Sequence, residues 1–287
     1  MTTSVAASMC TVATFDYRFE LGLLVSSFRQ YCEKPIFVAC DKATKIWIED
    51  KYSGKDIECF SILDEMIPDM NVLADSSRPE FRPAFKQLLL AKTLIMEEAL
   101  GRHKSTLYAD SDIVFLGCPE NIDLSESEVA LSAHDIGFEV DLQCGIYNAG
   151  YVATSNVEFS RWWREEQQKE DKFDQLCLEK APKNFRCSRI GGSHNIGWWK
   201  TYHGPRGLER LNSISCDKDT IFFDGRPMIS VHTHLVNFCW YKNSHSVVAD
   251  FNKKFMSVLE QSQSQSHQIL GSLIADYRNQ YTESGRK

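Results

Sequence analysis

Leu107-Tyr108-Ala109-Asp110-Ser111-Asp112-Ile113-Val114 is the stretch on which the reading of this chain turns. A short apolar strand runs straight into two carboxylates one residue apart, and the apolar pattern resumes at Ile113. In an extended tripeptide the outer side chains share a face, so Asp110 and Asp112 can reach one hard cation. Mg²⁺ or Mn²⁺ in such a place keeps positions that suit the oxygens of a diphosphate. Spacing alone is weak evidence, because about one Asp-x-Asp is expected by chance in a chain with this Asp content. A second copy, Asp217-Lys218-Asp219, lies in a polar loop and reads as a solvated turn, whereas the first sits at a strand end.

On either side of this stretch, strand and helix signals alternate. Cys10–Phe15 is a β-rich run, followed by residues 20–31, where Leu21, Leu24, Val25 and Phe28 fall on one helical face. Residues 36–40 form a second strand ending at Asp41, before a helix through Ile46-Trp47-Ile48, and residues 57–63 a third. Residues 64–82 read as a long functional connection. Residues 83–100 are the strongest helix, with Pro83 in the first turn and Gly101 past the end. Further on, residues 129–132 and 146–154 read as strands, and 157–168 and 174–179 as helices. Residues 186–207 interleave glycines with His194, Trp198, Trp199 and His203, which suggests a binding loop. From Asp250 two amphipathic segments flank Gln261-Ser262-Gln263-Ser264-Gln265-Ser266. They close the core or form a dimer interface, and closing the core is the preferred reading.

Strands alternating with helices imply a mostly parallel, doubly wound sheet, which binds ligands at the carboxyl ends of its strands near the switch in strand order. Thr14, Asp41 and Asp110 all lie at such ends. No G-x-G-x-x-G follows the first strand and no G-x-x-x-x-G-K-[ST] occurs, so dinucleotide oxidoreductase and P-loop readings lose their main support.

The 287 residues include 32 Lys+Arg against 39 Asp+Glu, a net charge of -7, which argues against a nucleic-acid partner. The ten cysteines form no C-x-x-C pair and several sit in apolar runs. A reducing, cytoplasmic setting without disulfides or a zinc site is expected. No stretch approaches the roughly 20 apolar residues of a spanning helix, and the N-terminus does not read as a secretory signal.

The Asp110-Ser111-Asp112 strand end resembles that of GT-A fold glycosyltransferases, especially the glycogenin and galactosyltransferase group (glycosyltransferase family 8). Four further segments carry the resemblance in order. Lys92 stands where the group has a helix lysine. Tyr147-Asn148-Ala149-Gly150-Tyr151-Val152 is similar to its F-N-A-G-V strand, and Asp174-Gln175 to its D-Q motif. His232, eight residues before Trp240, matches the spacing of its H-F-x-G-x-x-K-P-W signature, though Thr233–Cys239 lacks the glycine, lysine and proline. The likeness spans roughly residues 9–241.

The resemblance implies an α/β fold, a GT-A-like (Rossmann-like) doubly wound mixed sheet flanked by helices, with C-terminal helices. The expected division is a glycosyltransferase domain over residues 1–249, with a nucleotide-binding half (1–120) and a donor-sugar and acceptor half (121–249), and a helical extension over 250–287. Asp110, Asp112 and His232 would hold Mn²⁺ or Mg²⁺, with His234 competing for the third place. Thr14, Phe15, Arg18 and Asp41 would meet the nucleoside. Lys92, Ser111, His134, Asn148, Gly150 and Asn195 would line the donor and acceptor positions. Asp174 and Gln175 would lie near the anomeric carbon, as a base or a positioning pair, and Trp198 and Trp199 would offer faces for sugar stacking. The function implied is metal-dependent transfer from a nucleotide sugar, most simply a UDP-sugar, to a glycan, lipid or protein acceptor, with a homo-oligomer left open. The alternatives are a sugar-1-phosphate nucleotidyltransferase and a catalytically silent nucleotide- or sugar-binding module.

Overall fold

The computed structural model describes residues 6–120, 122–135, 145–169, 174–202, 206–235 and 247–283. Its centre is a seven-stranded sheet in the order β3-β2-β1-β4-β7-β6-β8. The strands are β1 (Ser8–Ala13), β2 (Ile36–Cys40), β3 (Ile57–Phe60), β4 (Thr106–Ala109), β6 (Val129–Ala133), β7 (Tyr147–Thr154) and β8 (Cys187–Ile190). The first four are parallel, β7 runs antiparallel to both β4 and β6, and β8 is parallel to β6. The sheet is therefore mixed, as the resemblance implies. Every residue of β1, β2, β4 and β6 is buried, because helices cover both faces.

The chain winds from β1 outward to β3, then returns through the helix Phe81–Leu100 to β4 on the other side of β1. The strand order thus reverses between β1 and β4, and a crevice opens at their carboxyl ends. The returning helix accepts Pro83 in its first turn, where a backbone N–H would have no intrahelical partner. Its Ala91, Ile95, Met96 and Ala99 pack with Cys10, Val12, Phe37 and Ala39 of the sheet. Leu21, Leu24, Val25 and Phe28 of the helix Arg18–Arg29 join the core of the opposite face. The long connection before the returning helix holds a short helix, Leu63–Met66, and a 3₁₀ turn, Met70–Ala74.

A second sheet of three short strands sets the site. Its order is β5 (Ile113–Phe115), β13 (Ser230–His232), β9 (Ile196–Gly197), with β13 antiparallel to β5 and parallel to β9. A meander of β10 (Ser215–Asp217), β11 (Thr220–Phe223) and β12 (Arg226–Pro227) lies between β9 and β13 in the chain, and Asp217-Lys218-Asp219 forms one of its hairpin turns. The C-terminal helices begin at Val247, three residues before the sequence signal, and run Val247–Gln261 and Gln265–Glu283. Phe251, Phe255, Val258, Leu259, Leu270 and Ile274 pack with Val114, Leu116, Ile196 and Val231, so the pair closes a core beneath the small sheet.

Cys10, Cys32, Cys40, Cys59, Cys118, Cys177, Cys187 and Cys216 are free. No helix among the described residues is long and apolar enough to cross a membrane. His203, Cys239 and Trp240 lie outside the described residues.

Phe255 is fully buried at the junction of the small sheet and the C-terminal helices. Phe255→Ala is expected to lower the unfolding free energy by about 3–5 kcal/mol, read from denaturant titration. A loss below about 1 kcal/mol would mean that these helices do not complete the core.

Candidate active site

The crevice is a cleft of about 650 Å³ at the carboxyl ends of β1 and β4, within the range usual for small-ligand sites. Thr14, Lys92, Asp110, Ser111, Asp112, His134, Asn148, Gly150, Asp174, Gln175, Trp198, Trp199, His232 and His234 all line it. Residues as far apart as Thr14 and His234 therefore share one wall.

Asp110-Ser111-Asp112 is not the extended tripeptide expected from the sequence. It is a tight turn between β4 and β5, closed by the Ile113 N–H donating to the Asp110 carbonyl at 3.1 Å. The turn sends the two carboxylates to different partners. Asp110 Oδ1 accepts from the Tyr108 hydroxyl at 2.6 Å and lies 3.1 Å from Lys92 Nζ. Asp112 faces two histidines, with Oδ1 2.8 Å from His232 Nε2 and Oδ2 2.7 Å from His234 Nδ1. The group whose donor atoms all lie within 4.8 Å of one another is therefore Asp112, His232 and His234. The expected competition between the two histidines becomes a convergence. Asp110 remains adjacent, because a Cβ on Gly150 would overlap its Oδ2 and come within 2.8 Å of His232 Cε1.

Pairing of β13 with β5 brings His232 into place, opposite Ile113. The Thr233 N–H and hydroxyl both donate to the Asp112 carbonyl, at 2.9 and 3.0 Å. Behind His232 runs a buried polar chain whose direction is fixed at both ends. The Gly145 carbonyl can only accept, so His134 Nδ1 donates to it at 2.7 Å. Burial holds the His134 pKa below its ordinary value despite that bond, so the ring is neutral and its Nε2 accepts from Asn148 Nδ2 at 3.0 Å. Asn148 Oδ1 accepts from the Gly150 N–H at 2.9 Å and from Asn195 Nδ2 at 3.1 Å. Asn195 Oδ1 then faces His232 Nδ1 at 3.0 Å, which must donate.

With Nδ1 donating to Asn195, the other ring nitrogen of His232, Nε2, faces a carboxylate oxygen 2.8 Å away. Two such atoms approach this closely when a proton or a metal cation lies between them. A divalent cation satisfies this, and donor separations of 2.8 and 2.7 Å approach the roughly 3 Å between neighbouring ligands of an octahedral ion with metal bonds of about 2.1 Å. The residues present fit a metal ion.

Lys92 joins this group to the D-Q segment. Its Nζ lies 3.0 Å from Asp174 Oδ2 as well as 3.1 Å from Asp110 Oδ1. Burial alone would lower its pKa, and the two carboxylates outweigh burial and leave it raised. Asp174 Oδ1 takes the Gln175 N–H at 2.9 Å, and Trp163 Nε1 donates to the Asp174 carbonyl at 3.0 Å. Asp174 is thus held at several points.

Other expected site residues fall elsewhere. Asp41 is engaged within the chain, accepting from the Thr44 N–H and hydroxyl and from the Phe15 N–H, so it caps the helix Lys42–Lys51 and ties down β1. Arg18 stacks on Phe15 and Phe19. Neither Phe15, Arg18 nor Asp41 lines the cleft. Asn195 and His194, expected on the acceptor side, are buried, Asn195 in the polar chain and His194 against the Tyr151 hydroxyl at 3.1 Å. Trp199 backs the histidines edge-on, 5.1 Å from the His232 ring centre, rather than presenting an open face.

Sequence reasoning missed Tyr17, Leu73, Phe81, Phe85, Leu88 and Leu89, which give the cleft an apolar side. The i, i+4, i+7, i+8, i+11 spacing of Phe81, Phe85, Leu88, Leu89 and Lys92 was the signal available for them. It also missed Asp135, which Arg189 and Lys200 both pair with, Lys200 at 3.4 Å.

Gly150→Ala is expected to fold but to lose about 1–3 kcal/mol in denaturant titration, because the new methyl overlaps Asp110; wild-type stability would contradict the packing described. Lys200 is buried, and burial lowers its pKa to about 8 from 10.5 although Asp135 favours the charge. Between those values the unfolded chain holds the extra proton, so this group's contribution to stability rises with pH. Wild type should gain up to about 3 kcal/mol on Lys200→Met between pH 8 and 10.5. A pH-independent difference would refute the assignment.

No protein-family model matches this sequence, and no curated protein matches it. Solved structures do. The galactosyltransferase LgtC, in complex with donor and acceptor sugar analogs, superposes with a TM-score of 0.54 at 14% identity over 88% of this chain and 96% of its own. The bifunctional glycosyltransferase WbbM, in its apo structure, gives 0.54 at 13% identity over 91% of this chain, which spans 52% of the WbbM chain. The mixed sheet, its reversal of strand order and these superpositions agree: the chain has the GT-A-type fold.

Proposed function

We propose that this chain is a metal-dependent glycosyltransferase that moves a sugar from a nucleotide sugar, a UDP-sugar in the simplest case, to a hydroxyl of a glycan, lipid or protein. The observation that carries the reading is the convergence of Asp112, His232 and His234 in the switch-point cleft, beside the Asp110–Lys92–Asp174 ion pairs. The similarity to LgtC, whose structure holds donor and acceptor sugar analogs, supports the same placement of chemistry.

Asp112, His232 and His234, with Asp110 alongside, would hold a divalent cation, Mn²⁺ or Mg²⁺, which would supply Lewis-acid charge for a departing nucleoside diphosphate. The chain's own groups do the rest. The chain from His134 through Asn148 and Asn195 engages His232 Nδ1 and leaves Nε2, the atom that faces Asp112, as the ring nitrogen that would take a cation. Lys92 pairs with both Asp110 and Asp174 and holds the two carboxylates in place. Asp174 shares its oxygens with Lys92 and the Gln175 N–H, an arrangement that supports a positioning role beside the anomeric carbon over that of a free base. Thr14, Ser111 and Gly150 line the wall where the donor would lie.

Against a nucleotidyltransferase stands the turn after β1. Such an enzyme needs open backbone N–H groups for phosphate there. In this chain the Phe15 N–H donates to Asp41 at 2.8 Å and the Tyr17 N–H to the Thr14 carbonyl at 2.9 Å.

The test is donor hydrolysis by the purified protein across a panel of nucleotide sugars with Mn²⁺, Mg²⁺ or chelator, beside Asp112→Asn. Metal-dependent release of one nucleoside diphosphate, reduced at least about a hundredfold in the variant, is the expected result. No release from any donor, with nucleotide binding undiminished in chelator, would overturn the proposal in favour of a silent binding module.

A further inference from the structure

His234 adopts φ = +48°, the left-handed region that residues with a Cβ enter only under strain. The geometry shows what the strain achieves. Two residues apart on an extended strand, His232 and His234 would share a face with their side chains about 6.5 Å apart. The left-handed turn instead stacks the two imidazoles, with ring centres 4.3 Å apart and planes at 28°, and aims both at one carboxylate.

The turn is locked from two directions. Thr233 donates through its N–H and hydroxyl to the Asp112 carbonyl. From the C-terminal helix Val247–Gln261, the buried Asn252 donates its Nδ2 to the Thr233 carbonyl at 2.7 Å. Trp199 stands edge-on to both rings and walls them in. Backbone strain, a buried amide and an indole are thus committed to placing a second imidazole nitrogen 2.7 Å from Asp112. A surface histidine that merely paired with a carboxylate would need none of them.

We infer that His234 is a metal ligand and that the site, with two imidazoles and Asp112, selects a transition-metal ion over Mg²⁺ and holds it before any nucleotide arrives. This deepens the metal-dependent reading above and rests on it only for the position of the nucleotide. The donor chemistry carries the selectivity. Mg²⁺ prefers six oxygens, sheds water reluctantly and is held mainly through carboxylates and substrate phosphates. Imidazole nitrogens suit Fe²⁺, Co²⁺ and Zn²⁺, with Mn²⁺ the weakest of the series, and two of them with one carboxylate leave positions open for further ligands. Three protein donors are enough to retain such an ion alone, whereas a site of hard oxygens would rely on the diphosphate to complete it.

The experiment uses the full chain, freed of metal with chelator and kept free of nucleotide. Co²⁺ binding is followed by its visible d–d absorption, and Mn²⁺ binding by loss of the free-ion electron paramagnetic resonance signal. One Co²⁺ or Mn²⁺ per chain is expected, not displaced by a hundredfold excess of Mg²⁺. His234→Ala should weaken Co²⁺ binding at least tenfold and alter the d–d bands, with a melting curve in chelator that confirms folding. Asn252→Leu, which leaves all three donors in place, should weaken Co²⁺ binding to a smaller extent by freeing the turn.

Displacement of Co²⁺ by equimolar Mg²⁺, or wild-type Co²⁺ affinity in folded His234→Ala, would overturn the inference. The two readings fail separately. Nucleotide-free Co²⁺ binding with no turnover of any donor keeps this inference and removes the transferase. Turnover with Mg²⁺, without nucleotide-free Co²⁺ binding, does the reverse.

Discussion

The carbonyl of Asp112 accepts two hydrogen bonds from Thr233, a residue 121 positions away in sequence, and the candidate site depends on that junction. It lies one residue past the β5–β13 pairing and ties the end of β4 to the segment that carries the histidines. Everything around it serves to hold it. The C-terminal helices bury the underside of the small sheet, and one of them sends Asn252 to the Thr233 carbonyl. A helical pair that could be mistaken for an appendage therefore lies one hydrogen bond from the proposed metal ligands.

A second constraint is electrostatic. A chain with a net charge of -7 gathers Asp110, Asp112 and Asp174 in one cleft, which like-charge repulsion opposes. Lys92 relieves it from within the returning helix, with one ammonium shared between two carboxylates. Asp112 is left for the histidines. The division of labour follows from the tight turn at Ser111, which points adjacent carboxylates at different partners instead of at one ion.

Several residues singled out in the sequence come together in the cleft, in contacts the sequence did not show. Asp112, Lys92, Asn148, Gly150, Asp174 and His232 were each legible from motif order, and all of them line the cleft. Asp41 caps a helix and does not line the cleft; a helix cap and a ribose-binding carboxylate carry the same sequence signal, an Asp at a strand end before a helix. Its oxygens turn out to be engaged by Phe15 and Thr44. Asn195 looked like a cleft residue beside flexible glycines, yet it is fully buried as the link that orients His232. His234 stood as a rival to His232 because period-two alternation says only that two side chains share a face. Their stacking requires a left-handed backbone that no local signal predicts.

By itself, the sequence determined the alternation of strand and helix, and with it the α/β class and the strand ends at which chemistry belongs. These follow from apolar periodicity, glycine and proline, which act over a few residues. Only the tertiary structure decided which carboxylate meets the histidines, which way the buried amides point and where the C-terminal helices lie. Those outcomes depend on pairings such as Asp112 with Thr233 and Asn148 with Asn195, made between residues far apart in the chain. A hydrogen bond of that kind has no period and leaves no trace in a local pattern.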